Sequence, residues 1–147
     1  MADLLSKAER SAQMAKVRGA GNASTEQRLA YLLRAHGITG WRRKISLPGK
    51  PDFVFRSERV AVFVDGCFWH ACPSHGRVPK SRVAFWKTKL ERNAQRDRVV
   101  TRTLKAAGWT VVRIWECSLS ASKAKKTLSR MARTLAMQAG NSETTRR

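Results

Sequence analysis

Two groups of side chains have the types and spacing to do chemistry. The stretch DGCFWHACPSH, Asp65 to His75, places Cys67, Cys72 and His75 in one loop, and Cys117 lies far downstream. Three thiolates and one imidazole make a closed tetrahedral zinc set, which leaves no open position for water and is therefore structural. His70 is an alternative fourth ligand. His75 is preferred because it follows Cys72 at a common ligand spacing and because His70 has another use. The second group is acidic: Glu26, Asp52 and Asp65. Cutting a phosphodiester needs a divalent ion to offset phosphate charge and lower the pKa of the attacking water. Mg²⁺ keeps several waters, so one or two carboxylates suffice to hold it. His70 suits proton transfer, because an imidazole titrates near neutral pH.

The elements around these residues must bring them together. PDFVFRSERVAVFVDG contains two β-type runs, Asp52 to Phe55 and Val60 to Val64, separated by RSER. Four residues of that kind suit a hairpin loop. The start of one strand then lies beside the end of the other, which predicts Asp52 close to Val64 and Asp65. STEQRLAYLLRAHG reads as a helix with Ser24 and Gln27 at capping-box spacing and Gly37 as C-cap. Leu29, Ala30 and Leu33 form its inward stripe, Glu26 lies on the same stripe, and His36 is a capping residue. A short strand is expected within GWRRKISL. From about Arg82 to Ala107 the spacing of Trp86, Leu90, Val100 and Leu104 predicts one long helix, with Asn93 and Asp97 on one face. WTVVRIWEC reads as a strand with Trp109, Val111, Arg113, Trp115 and Cys117 on one side. A last helix, 120 to 138, carries Leu128, Met131 and Leu135, and residues 139–147 read as a disordered basic tail. Residues 3–18 read as a helix with a weak apolar face, so residues 1–20 form an N-terminal helical segment ahead of a domain over 21–138. The order implies an α/β fold around a mixed sheet flanked by helices.

Length and charge narrow the function. The chain has 147 residues, enough for one core, and 30 Lys+Arg against 10 Asp+Glu give a formal charge of +20. Such an excess strains a compact fold unless a polyanion offsets it, so nucleic acid is the leading partner. No segment has the length of a membrane span. With no signal-peptide pattern at the N-terminus, the protein is expected to be intracellular. The odd cysteine count argues against a disulfide framework. An aromatic pair on a loop of such a protein, here Phe68 and Trp69, can slide between base pairs. WRRK and RVPKSR would hold phosphates.

LPGKPDFVF, VFVDGCFWH, NAQRDR and GWTVVRIWEC, in that order, resemble the very-short-patch repair (Vsr) DNA mismatch endonucleases, from about Lys7 to Cys117. The resemblance implies a restriction-endonuclease-like fold, a structural zinc and a Mg²⁺-dependent nick 5′ to the thymine of a T·G mismatch in duplex DNA. It implies Asp52 as the Mg²⁺-binding aspartate, the Val64 carbonyl as a second ligand, and Glu26, His70 and Asp97 as catalytic or supporting residues. Phe68 and Trp69 match the wedge, Met14 on the first helix a minor-groove probe, and Trp86 a further aromatic. Asp65 stands where the family's best-known member has histidine, and an acid there is expected to bind metal directly. The expected protein is a monomer in the bacterial cytoplasm, at the nucleoid, with mismatch-repair proteins as possible partners. Two alternatives accompany this reading: a same-fold nickase or restriction enzyme of other specificity, and a non-catalytic zinc-stabilised DNA-binding protein.

Overall fold

The computed structural model describes residues 25–67, 72–73 and 78–145. The expected first helix with Met14, the aromatic pair Phe68 and Trp69, and both His70 and His75 lie outside the described residues.

Helix α1, Glu26–Ala35, forms where the apolar stripe requires it: Leu29, Ala30, Leu32 and Leu33 are buried, and so is Glu26. The N-cap position is Thr25, one residue later than the capping box at Ser24 predicts, and it makes no side-chain cap bond. At the other end His36 donates through Nδ1 to the Leu32 carbonyl at 2.9 Å, a capping role as expected.

Strand β1 is shorter than GWRRKISL suggests and covers only Trp41–Arg42. The next two strands, β2 (Phe53–Phe55) and β3 (Val60–Asp65), are fully buried and pair antiparallel across the turn at 56–59. Their apolar runs do not alternate with polar residues because both faces of the sheet are covered. On one face Phe53, Phe55, Val60, Val62 and Val64 pack with α1 and with Leu128 and Met131 of the last helix. On the other, Ala61 and Phe63 pack beneath Leu104 and Val100.

Those two belong to helix α2, Val83–Ala106, which carries the chain over to β4, Thr110–Trp115. β4 lies parallel to β3, so the sheet order is β1-β2-β3-β4 and the sheet is mixed. Gly108, at φ +89°, closes α2. It lets Trp109 N–H reach the Leu104 carbonyl at 3.0 Å, a reversal that an L side chain disfavours. A 3-10 turn over Glu116–Leu119 leads to helix α3, Ala124–Thr145. Leu128 and Met131 are buried as their spacing predicts. The helix passes the boundary expected at 138, since residues 139–145 hold no proline, and Gly140 costs only about 1 kcal/mol relative to alanine.

The loop before Asp52 is pinned to α2. Gly49 has φ +75°, and a Cβ there would fall 2.2 Å from Val100 Cγ1. Gly49→Ala therefore combines a disfavoured left-handed conformation, about 1–2 kcal/mol, with overpacking of about 1–3 kcal/mol. Urea unfolding of the variant should show a loss of roughly 2–5 kcal/mol. A loss under about 0.5 kcal/mol, the usual size of a surface substitution, would show that the loop does not seat there.

Candidate active site

The hairpin decides where the acids meet. Asp52 stands just ahead of β2, and its N–H donates to the Val62 carbonyl at 2.9 Å. Its side chain turns back along the partner strand, where Oδ2 accepts the Val64 N–H at 2.7 Å. Glu26 comes from the first turn of α1 and pairs with Arg43, just beyond β1. Burial pushes Asp52 up from an ordinary carboxyl value of 3.8 to about 6. The Val64 N–H acts against this, the charges of Glu26 and Asp65 add to it, and Arg43 again opposes it. A half-buried carboxylate that lies among other carboxylates and still holds a backbone donor is a ready cation ligand.

Asp65 ends β3 and is only 5% exposed. It lies within electrostatic reach of Asp52. Both of its oxygens accept from Arg113 Nη1, at 3.0 and 3.2 Å. Strand alternation explains this. Asp65, Phe63 and Ala61 share the face under α2, and Arg113 of β4 reaches the same face, stacked 4.3 Å over the Phe63 ring. Asp97 of α2 belongs to the same group, with Oδ1 3.7 Å from Arg113 Nη1. Trp86 lies half-buried near the start of α2, edge-to-face with Phe85 at 5.3 Å, and Lys89 sits over its ring at 5.6 Å.

Sequence reasoning placed Arg113 on its strand but gave it no role. The available signal was a charge between Val111 and Trp115 on an inward-facing side of a strand, which demands a buried acid. Phe85, exposed and stacked under Arg82 at 4.3 Å, was also missed. On a basic helix it carried no periodic signal.

The sulfurs converge beside the acids. The Sγ atoms of Cys67, Cys72 and Cys117 lie within 4.8 Å of one another, with Cys72 and Cys117 3.8 Å apart. The parallel register brings this about. Asp65 pairs with Trp115, so the residues two places beyond each strand end, Cys67 and Cys117, become neighbours. Cys72 N–H then closes the loop onto the Cys67 carbonyl at 3.0 Å. No disulfide forms, and burial together with the neighbouring sulfurs pushes the Cys67 thiol up to about 11. The donor set fits a soft divalent ion, since tetrahedral thiolates bonded at about 2.3 Å stand about 3.8 Å apart. The ion's charge would reverse the upward push on the Cys67 thiol.

Carboxylates gathered at one end of a mixed sheet, in a chain of charge +20, are the equipment of a hydrolase for a polyanion. Comparison with known proteins makes that class specific. Residues 2–75 match the family described as DNA mismatch endonuclease Vsr. The chain is 40% identical over 120 residues to the DNA mismatch endonuclease Vsr of Escherichia coli K12, covering 81% of this chain and 76% of that one. It is 40% identical over 121 residues to the type II nicking enzyme V.XorIIP of Xanthomonas oryzae pv. oryzae, 82% of this chain and 88% of that protein. A match of 57% identity to the type II nicking enzyme V.NaeI of Lentzea aerocolonigenes spans 46% of this chain and 40% of that relative's length. The chain belongs to the Vsr DNA mismatch endonuclease family and is a DNA endonuclease. Among the described residues, no helix is long and apolar enough to cross a membrane.

Proposed function

We propose that the chain is a Mg²⁺-dependent endonuclease that nicks one strand of duplex DNA 5′ to the thymine of a T·G mismatch. Its fold is restriction-endonuclease-like and carries a structural zinc. The observation that supports this most directly is Asp52, half-buried, oriented by the Val64 N–H and raised to about 6 beside Glu26. Asp52 and the Val64 carbonyl would hold Mg²⁺, with Glu26 supporting them. Bound there, the ion would offset phosphate charge and make the attacking water more acidic. His70 handles a proton at the scissile phosphate, and Asp97 orients it. Phe68 and Trp69 enter the stack from the major groove, Met14 probes the minor-groove side, and Trp86 with Lys89 lies against the opened step. A mispair costs less to unstack than a matched pair, so the wedge discriminates by deformation. Cys67, Cys72, Cys117 and His75 would hold the zinc that pins the wedge loop to the ends of β3 and β4. The enzyme would act as a monomer at the nucleoid in the bacterial cytoplasm, handing its nick to repair proteins.

A strand-specific nicking assay on T·G and matched duplexes tests the reading. With Mg²⁺ the mismatch should be nicked at least 100-fold faster, on the T strand, and binding should weaken steeply with salt because phosphate contacts release counterions. Equal cutting of both duplexes would point to a same-fold nickase of other specificity. Tight binding with no cutting would point to a DNA-binding protein without catalysis.

A further inference from the structure

Arg113 makes more contacts than a strand residue needs. Nη1 holds both oxygens of Asp65, Nη2 donates to the Asp97 backbone carbonyl at 3.3 Å, and Nε donates to the Thr101 hydroxyl at 3.1 Å. One side chain of β4 thus ties the last residue of β3 to two successive turns of α2. The guanidinium Cζ lies 4.3 Å over the Phe63 ring, which together with these bonds restricts how its donors can turn. Its side chain is 23% exposed and that of Asp65 7%, so the pair is screened little by solvent.

We infer that Arg113 is a positioning residue of the nuclease: it withholds Asp65 from the metal and fixes Asp97 relative to the hairpin. The inference rests on the reading of Asp52 as the metal ligand. Without Arg113, Asp65 would present a second free carboxylate next to Asp52, and the ion could bind between the two acids, away from the Val64 carbonyl. With Arg113 in place, Asp65 is neutralised at its strand end, and the hairpin offers the ion one ionised side chain. The same guanidinium sets the distance between β3 and Asp97. A displacement of about 1 Å in such a group costs on the order of 100-fold in rate. Lysine cannot substitute, since a single ammonium does not reproduce a planar fork that reaches three partners.

The test measures kcat, KM for T·G duplex and the half-saturating Mg²⁺ concentration, with melting temperature followed for every zinc-loaded protein. Asp65→Asn should lower kcat while leaving the Mg²⁺ half-saturation within threefold of wild type. Arg113→Lys should lower kcat about 10- to 100-fold with KM within threefold. Combining the two should cost no more than the worse single change, because both act through one unit. A tenfold or greater rise in Mg²⁺ half-saturation for Asp65→Asn would make Asp65 a direct ligand and overturn the inference. So would full multiplication of the two kcat losses, or an Arg113→Lys enzyme with wild-type kcat. Should Arg113→Lys fail to fold, Asp65→Asn alone still decides the matter through Mg²⁺. Failure of the nuclease reading would look different: the wild type itself would show no Mg²⁺-dependent nicking.

Discussion

Replacing Asp52 by asparagine is expected to abolish nicking and to raise the melting temperature of the Mg²⁺-free protein. The two effects share one cause. The folded chain holds this half-buried carboxyl at about 6, while the ordinary value is 3.8. The folded state therefore binds the proton more tightly than the unfolded state, and the sign is the reverse of a salt-bridged aspartate. Below pH 3.8 both states are protonated and the site costs nothing. Between 3.8 and 6 the unfolded chain loses its proton first, and stability falls. Above 6 the penalty is complete, at about 1.4 kcal/mol per pKa unit before partial solvent contact reduces it. An expected net cost is about 2 kcal/mol. Asparagine keeps an oxygen for the Val64 N–H and removes the charge, so at pH 7.5 the variant should melt about 4–8 °C higher, at about 2–4 °C per kcal/mol for a chain of this size. The gain should vanish below about pH 4. Cleavage should fall by at least 1000-fold, since the ion loses its anionic ligand. The half-saturating Mg²⁺ concentration of the wild type should rise as pH drops through 6, when the proton competes with the ion. Calorimetry belongs in Mg²⁺-free buffer without chelator, so that a zinc held by the three cysteines would stay in place. A lower melting temperature at pH 7.5, or residual nicking near wild type, would count against this role for Asp52.

The second large effect concerns the sulfurs. Zinc should be present at one ion per chain, and removing it should lower the melting temperature by more than about 10 °C. Structural zinc in small domains contributes about 10–16 kcal/mol of apparent folding energy. This chain also has an apolar core around Phe53, Phe55, Leu29 and Leu128, so only part of that is at stake. What the ion would secure is the junction beyond Asp65 and Trp115, where neither strand continues. Cys117→Ser should lose zinc, melt early and nick poorly, because the strand end that carries Asp65 would no longer be tied down. Raising zinc should not rescue it fully. The metal-free Cys67 thiol is pushed up to about 11, so zinc binding there must release a proton and affinity should decline as pH is lowered. Elemental analysis and thermal unfolding of wild type and Cys117→Ser check this. An absence of zinc, or a shift below about 2 °C, would show the three sulfurs to be ordinary buried thiols.

Local patterns were legible before any coordinates. RSER between two Val- and Phe-rich runs located the turn at 56–59, and with it the approach of Asp52 to Val64. The 3.6-residue spacing of Leu90, Val100 and Leu104 bounded α2 to within a residue of Val83–Ala106. The family motifs pointed to the endonuclease, and the chain's relatives bear that out. These signals depend on neighbours in sequence, so periodicity and turn chemistry carry them.

What only the tertiary structure decided depends on strands about 50 residues apart. The sequence supplied Cys67 and Cys117, but the parallel register of β3 and β4 makes them adjacent. It supplied Asp65 as an acid near Asp52, and alternation along the strands turned that acid to Arg113. Nor could it show that WRRK would contribute only Trp41–Arg42 to the sheet while Arg43 turned to Glu26. Side-chain direction at a strand end is set by which strand pairs alongside and in what register. A one-residue slip there would point every one of these groups to the opposite face.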